Sequence, residues 1–269
     1  QFELISGNIE EKIMLELYNI KQKENGKLIY YKRNGSMLRW FDYPTEIVVP
    51  PNEKKEINID VSVPQNAKGT HTVIFMVEPN NQDSQNGINF KIRYAVKVHI
   101  NIKAPGVNAK MKIENINIQE NKEGDPHVIT SIKNISEVFY KASGEVTIRD
   151  ESRKLVQRVK IRSDYAKQAG RDATTIYPGS EVIFSGEVTE PLTPGKYDLQ
   201  AFIQYADGKQ LIERKTIEIG DEFVNPDKMD YLEISPTNIN DKLRKGGVHT
   251  GAIDIRNRTG DPINVKVEP

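Results

Sequence analysis

Four histidines, His71, His99, His127 and His249, are the side chains best placed to titrate or to hold a metal near neutral pH. None stands at a ligand spacing from another histidine or from a carboxylate. They fall on separate alternating segments, and His99 lies on the polar side of its own, which predicts a solvated face. The chain has no cysteine, so a thiol nucleophile, a thiolate metal site and a disulfide framework are all excluded. A nucleophile elbow, a phosphate loop and a dinucleotide fingerprint are likewise absent from the sequence. These observations point away from an enzyme and imply no cofactor.

Two other clusters have residue types suited to binding. Asp221, Glu222, Asp227 and Asp230 gather beside Asn225-Pro226 and supply oxygens of the kind calcium takes, but without the regular alternation of a calcium loop, so a polar linker is the favoured reading. Tyr31, Trp40 and Tyr43 concentrate aromatic surface in one stretch. Exposed together, such rings stack on sugars or anchor a protein. The single tryptophan suits a core position, which leaves Tyr31 and Tyr43 as the expected exposed pair.

Lys+Arg and Asp+Glu both number 38 in 269 residues, so the net charge is zero and the footprint of a nucleic-acid binder is missing. No apolar run approaches the roughly 18 residues of a membrane helix. The chain opens directly on a strand-like segment, which leads us to expect a removed leader or an earlier strand.

The elements that position these side chains read as strands almost throughout. Alternating runs of five to nine residues, bounded by Gly, Pro, Asn and Asp, recur along the chain, and helical periodicity is scarce. The clearest run is Asn89 to Lys103, where Phe90, Ile92, Tyr94, Val96, Val98, Ile100 and Ile102 alternate with polar positions that include Lys97. A period of two predicts one long strand with one buried face, ended by Ala104-Pro105-Gly106. Ile13, Leu15 and Leu17 predict another strand. Leu28 to Trp40 predicts a hairpin turning at Asn34-Gly35, and Ile57, Ile59, Val61 and Val63 predict a strand with one inward face. The stretch from Ser163 to Thr175 breaks the alternation and predicts a crossover with a short helical turn.

The plan repeats. Pro51 precedes Pro64 by thirteen residues with Gly69-Thr70-His71 beyond, and Pro178 precedes Pro191 by thirteen with Gly195-Lys196-Tyr197 beyond. Leu17-Tyr18-Asn19, Ile132-Lys133-Asn134 and Ile255-Arg256-Asn257 form a second landmark. The expectation is all-β: tandem immunoglobulin-like β-sandwiches over 1–104 and 107–220, then 221–269 as a linker plus an incomplete third immunoglobulin-like repeat. A partial repeat is not expected to enclose a core alone, so 231–269 is expected to pack on the second unit, to exchange strands with another chain, or to be the remnant of a longer protein.

Trp40 to Pro64, the Gly69-Thr70-His71 turn and the long strand running into Ala104-Pro105 resemble the N-terminal domain of periplasmic pilus chaperones. The second unit, through Ile176 to Ser180, Phe184 and Leu192 to Tyr197, is similar to the second sandwich of exported bacterial proteins that carry such a first domain. The resemblance implies an exported protein of the periplasm or cell surface. It also implies strand-edge binding through Phe90, Ile92, Tyr94, Val96, Lys97 and Val98, with Lys97 where the family places a cleft lysine that holds a subunit's terminal carboxylate. The family's partner arginine has no counterpart that can be named here. The leading expectation is a non-enzymatic envelope or secreted protein that works through protein contacts, as a surface structure or an adhesion and assembly scaffold. The alternatives are a periplasmic chaperone for surface-fibre subunits and a carbohydrate-binding module using Tyr31, Trp40 and Tyr43.

Overall fold

The computed structural model describes residues 2–32, 36–79, 92–122, 124–220, 232–236, 245–247 and 251–257. The chain builds tandem immunoglobulin-like β-sandwiches. In the first, the strands are β1 (Phe2–Ile5), β2 (Glu11–Gln22), β3 (Leu28–Tyr31), β4 (Phe41–Asp42), β5 (Glu46–Val49), β6 (Lys54–Ile57), β7 (Asp60–Val61), β8 (Gly69–Pro79) and β9 (Tyr94–Ile102). One sheet runs β3-β2-β8-β9, with β5 joined to the other end of β2, and the pairs β1-β6 and β4-β7 make up the remaining sheet structure. Ile13, Leu15 and Leu17 of β2 turn to one side and meet Val73, Phe75 and Val77 of β8, all buried. Phe41 closes this core by setting its ring edge against Phe75, with centroids 5.6 Å apart.

The second sandwich follows with β10 (Met111–Glu120), β11 (Pro126–Asn134), β12 (Tyr140–Asp150), β13 (Leu155–Ile161), α1 (Asp164–Gln168), β14 (Thr174–Ile176), β15 (Glu181–Glu187), β16 (Gly195–Tyr205) and β17 (Lys209–Ile219). Sheet β10-β11-β15 faces sheet β13-β12-β16-β17, and β14 continues beyond β13 along β12. Ile132, Val146, Ile148, Phe184, Leu199 and Ile203 are fully enclosed between them. The Leu192 to Tyr197 motif has a physical reason: the Tyr197 hydroxyl donates to Thr193 O and accepts from Thr193 N, both at 3.0 Å, and so ties the strand entry to its own backbone.

The two sandwiches share a path. In each, a long strand (β2, β12) pairs at one end with its hairpin mate (β3, β13), at the other with a short strand (β5, β14), and along its other side with the strand before last (β8, β16). The proline signature marks equivalent turns. After Pro51 and Pro178 come Asn52 at φ 57° and Gly179 at φ 72°, and Ser6 N–H bonds Glu53 O at 3.1 Å as Asn134 N–H bonds Ser180 O at 2.9 Å. A third hairpin pairs β18 (Leu232–Ser235) with β19 (Asp254–Asn257). Its Leu232↔Asn257 register matches Met111↔Asn134 in β10-β11.

Several expectations differ from the structure. The asparagine landmark mixes strands, because Asn134 and Asn257 end second strands of hairpins whereas Asn19 lies within β2. Ser36–Trp40 is a 3-10 turn and not a strand. The hairpin in that region is β2-β3, turning through Gly26, and Asn34-Gly35 lies outside the described residues. Of Ile57, Ile59, Val61 and Val63 only Ile57 is buried; Val61 and Val63 are exposed because the strand breaks between β6 and β7. The expected run from Asn89 is described as a strand from Tyr94, and Phe90 lies outside the described residues.

Candidate protein-binding edge and inter-sandwich cleft

β9 lies at the margin of its sheet. It pairs antiparallel with β8 through Gly69↔Ile102 to Val77↔Tyr94 and with no other strand among the described residues. Its inward positions alternate as expected, yet none is fully buried. Val96, Val98 and Ile100 are half-buried against the first core, and Ile92 and Tyr94 are 59% and 57% exposed. The alternation therefore reports a half-covered face, since an edge strand shares its apolar side with one neighbour and not two.

Beside β9 the sandwiches meet through a docked turn. The β2-β3 turn reaches the second sandwich, where Ile183 N–H donates to Glu24 O at 2.7 Å and Tyr165 N–H to Asn25 O at 3.0 Å. Gln22 is buried and satisfied on both ends of its amide: Nε2 donates to Gly26 O at 3.1 Å and Thr175 O at 2.7 Å, and Oε1 accepts from Tyr177 N–H at 3.1 Å. Gly26, at φ 87°, has room for no side chain, since a Cβ there would stand 2.7 Å from Ser163 Oγ. Ser163 in turn caps α1 by accepting from Ala166 N–H. A second seam joins Thr70 N–H to Glu137 O at 2.7 Å, where Gly69, at φ 80°, lies against that same carbonyl, and Lys68 pairs with Glu137 at 2.9 Å. Main-chain bonds of this kind fix the angle between the sandwiches more firmly than surface ion pairs do.

Lys97 projects from the outward face of β9 into a cleft of about 440 Å³ at this junction, with its Nζ 5.8 Å from the Tyr177 ring centroid. Lys27, Lys141 and Arg171 line the same cleft. The carboxylate there, Asp172, is drawn to Lys160 at 2.7 Å. The junction therefore presents an excess of positive charge next to the half-covered strand, although the chain as a whole is neutral. Burial raises the Tyr177 hydroxyl above its ordinary range, with Tyr165 adding to the effect.

His99 keeps the exposed position expected of it, but one side of its ring meets the second sandwich. Its ring lies against Phe139 at 4.7 Å and Tyr177 at 6.1 Å, and Nδ1 bonds the Thr72 hydroxyl at 2.8 Å. Desolvation, then the charge on Lys97, holds its pKa below the ordinary histidine value. Its neighbours come from the second sandwich, which sequence periodicity cannot report. His71 rests against Trp40 at 4.6 Å, His127 bonds Asp125 O, and His249 lies outside the described residues. No group of metal-binding side chains occurs among the described residues, and Asp221, Glu222, Asp227 and Asp230 lie outside them.

The three aromatic candidates are not equally available. Tyr31 is exposed on β3, whereas Trp40 and Tyr43 are drawn toward the first core, Tyr43 with its ring edge on Phe75 at 5.1 Å. Burial raises the Tyr43 hydroxyl pKa. The expectation that Tyr43 stands exposed beside Tyr31 is corrected to that extent. Gln22, Gly26 and Tyr177, which build the junction, were not legible in advance; the one available signal was a buried-strand pattern ending in Gln-Lys-Glu-Asn-Gly.

No protein-family model matches the chain, and no curated protein matches it. Among solved structures, a chain of the chaperone–tip adhesin complex of CFA/I fimbriae matches with TM-score 0.45 and 15% identity, covering 79% of this chain and 89% of that one. The class 5 fimbriae chaperone CfaA matches with TM-score 0.43 and 15% identity over 79% and 90%. A chain of the CsuC–CsuE chaperone–tip subunit pre-assembly complex from Csu pili of Acinetobacter baumannii matches with TM-score 0.41 and 12% identity over 79% and 88%.

Proposed function

We propose that this chain is a non-enzymatic protein-binding module of the bacterial cell envelope that receives an extended segment of a partner along β9 by β-strand addition, in the manner of a chaperone for fibre or surface subunits. The observation that carries the proposal is the state of β9: one strand neighbour among the described residues, an apolar side half-covered, and exposed Ile92 and Tyr94 at its entry. A strand added there would pair its main chain with the outer margin of β9 and lay alternate apolar side chains over Val96, Val98 and Ile100. Lys97 and its cationic neighbours would receive a carboxylate at the end of that segment, as a charge-assisted bond on a point already short of negative charge. Such a role goes with a periplasmic or cell-surface location, with working domains over 1–104 and 107–220 and with 221–269 as a linker plus an incomplete third repeat.

The test uses the full chain and a synthetic thirteen-residue peptide of alternating valine and serine, with either a free or an amidated C-terminus. Hydrogen exchange is expected to show new protection confined to β9, with the free-acid peptide binding more tightly than the amide. Tyr94→Asp, at an exposed position, should weaken binding by roughly tenfold, equivalent to about 1.4 kcal/mol. Protection appearing at β17, or none at β9, overturns strand addition. Equal binding of acid and amide removes the cleft from the reading.

A further inference from the structure

We propose that the second sandwich carries a separate binding site, on the outward face of its larger sheet, for an acidic peptide segment. Along β16, Tyr197, Leu199, Ala201 and Ile203 face the core, so Asp198 and Gln200 face outward. Their ladder partners extend that row: Arg149 on β12 stands opposite Asp198, and Arg214 on β17 opposite Gln200. With Arg153 and Lys215 these residues line a concavity of about 560 Å³. Three guanidinium groups thus share the outward hollow with one carboxylate, Asp198, which itself accepts from the Thr216 hydroxyl at 2.6 Å, while Lys215, opposite the core residue Leu199, reaches toward the other sheet.

The cations are held by neutral groups. Arg149 donates to Arg153 O at 3.0 Å, Lys215 to Asn115 Oδ1 at 2.9 Å, and Gln200, with its amide turned to satisfy the network, accepts from Nε and Nη2 of Arg214 at 3.2 Å. Elsewhere on the same sheet cations have carboxylate partners, as in Arg158–Glu145 at 3.0 Å and Lys160–Asp172 at 2.7 Å. None of the ion pairs among the described residues involves Arg149, Arg153 or Arg214. Guanidinium groups that outnumber the carboxylates of their hollow repel one another, and their planar forks match further carboxylates.

The spacing selects the ligand. Arg149 and Arg214 emerge two strands apart, about 10 Å across the sheet, which is far for one small oxyanion to satisfy both forks. Carboxylates on alternate residues of an extended peptide are about 7 Å apart and on one side, which suits a row of this length. The site is independent of β9 and stands if strand addition there fails.

The experiment titrates the full chain at low salt with a fluorescent hexapeptide of alternating glutamate and threonine, read by anisotropy, with the glutamine counterpart as control. Saturable binding of the glutamate peptide is expected, weakened by salt, reduced several-fold in Arg214→Gln and at least tenfold in Arg149→Gln/Arg214→Gln, and unchanged in Arg158→Gln. Arg214 is exposed and Arg149 half-buried, and an unchanged melting curve for Arg214→Gln confirms that its loss is local. Equal binding by the double variant or by the glutamine peptide overturns the site. Displacement of the peptide by inorganic phosphate or a heparin fragment at lower concentration overturns the peptide assignment in favour of those ligands.

Discussion

β9 and β17 close their respective sandwiches in the same topological place, each at the outer side of the strand before last, yet they are built to opposite specifications. β17 carries Lys209, Glu213, Arg214, Lys215 and Glu218 in eleven residues, while β9 carries Lys97 as its one permanent charge in nine. Charge along an exposed margin discourages another strand from pairing there, because pairing would desolvate it. The inner sides differ as well. Ile217 and Ile219 of β17 are buried, and Lys215 and Lys209 tie that strand to Asn115 and Ala109, on and just before β10 of the opposite sheet. Among the described residues no strand takes the place of β10 beside β9, and Val96, Val98 and Ile100 stay half-covered. The contrast teaches that an edge is available for recognition when both its charge and its lateral cover are withheld.

The largest effect that tests this contrast is a matched pair of truncations. Ile217→Ala should destabilise by about 2–5 kcal/mol, whereas Ile100→Ala, on a half-covered face, should cost roughly 1–2 kcal/mol in denaturant unfolding. Equal costs would mean that β9 is as enclosed as β17. Next comes the junction beside β9: Gln22→Ala leaves Tyr177 N–H and the Thr175 and Gly26 carbonyls without their amide partner and should cost about 2–3 kcal/mol. The same substitution should allow the sandwiches to move apart, measurable as a larger radius by solution scattering.

A smaller effect follows from giving β9 the guard of β17. Ala95→Glu with Asn101→Lys, both at exposed positions, should reduce capture of the alternating peptide about tenfold while changing stability by no more than about 0.5 kcal/mol. Unimpaired capture would show that charge is not what separates the two edges. The smallest effect is on pH. The folded His99 pKa lies below its unfolded value, so the neutral ring is the form that folding favours. Its contribution is fully present above the ordinary histidine pKa and is lost as pH falls from there toward the depressed folded value. Urea midpoints should therefore decline slightly on acidification through that window, and less so in His99→Phe; a decline of the same size in the variant would assign the effect to other groups.

How much was legible varies with the range of the interaction. Ile13, Leu15 and Leu17 announced β2, and the prolines at 51 and 178 announced equivalent turns, because alternation and turn chemistry are set within a few residues. Ser163 to Thr175 likewise yielded α1, with Ser163 as its cap. Asn19 misled because a tripeptide with the right side chains recurred on a strand of a different rank. Val61 and Val63 misled because alternation states that two sides differ and does not state that either is covered.

The sequence by itself determined that the chain is built of strands, that it repeats a sandwich plan, and that thiol and disulfide chemistry are closed to it, since composition and period are local properties. The tertiary structure alone decided that Gln22 joins two sandwiches, that His99 packs against Phe139 and Tyr177, and that β9 remains half-covered while β17 does not. Those outcomes depend on which strand lies beside which, and on residues more than a hundred positions apart meeting at a single seam, as Gln22 and Tyr177 do.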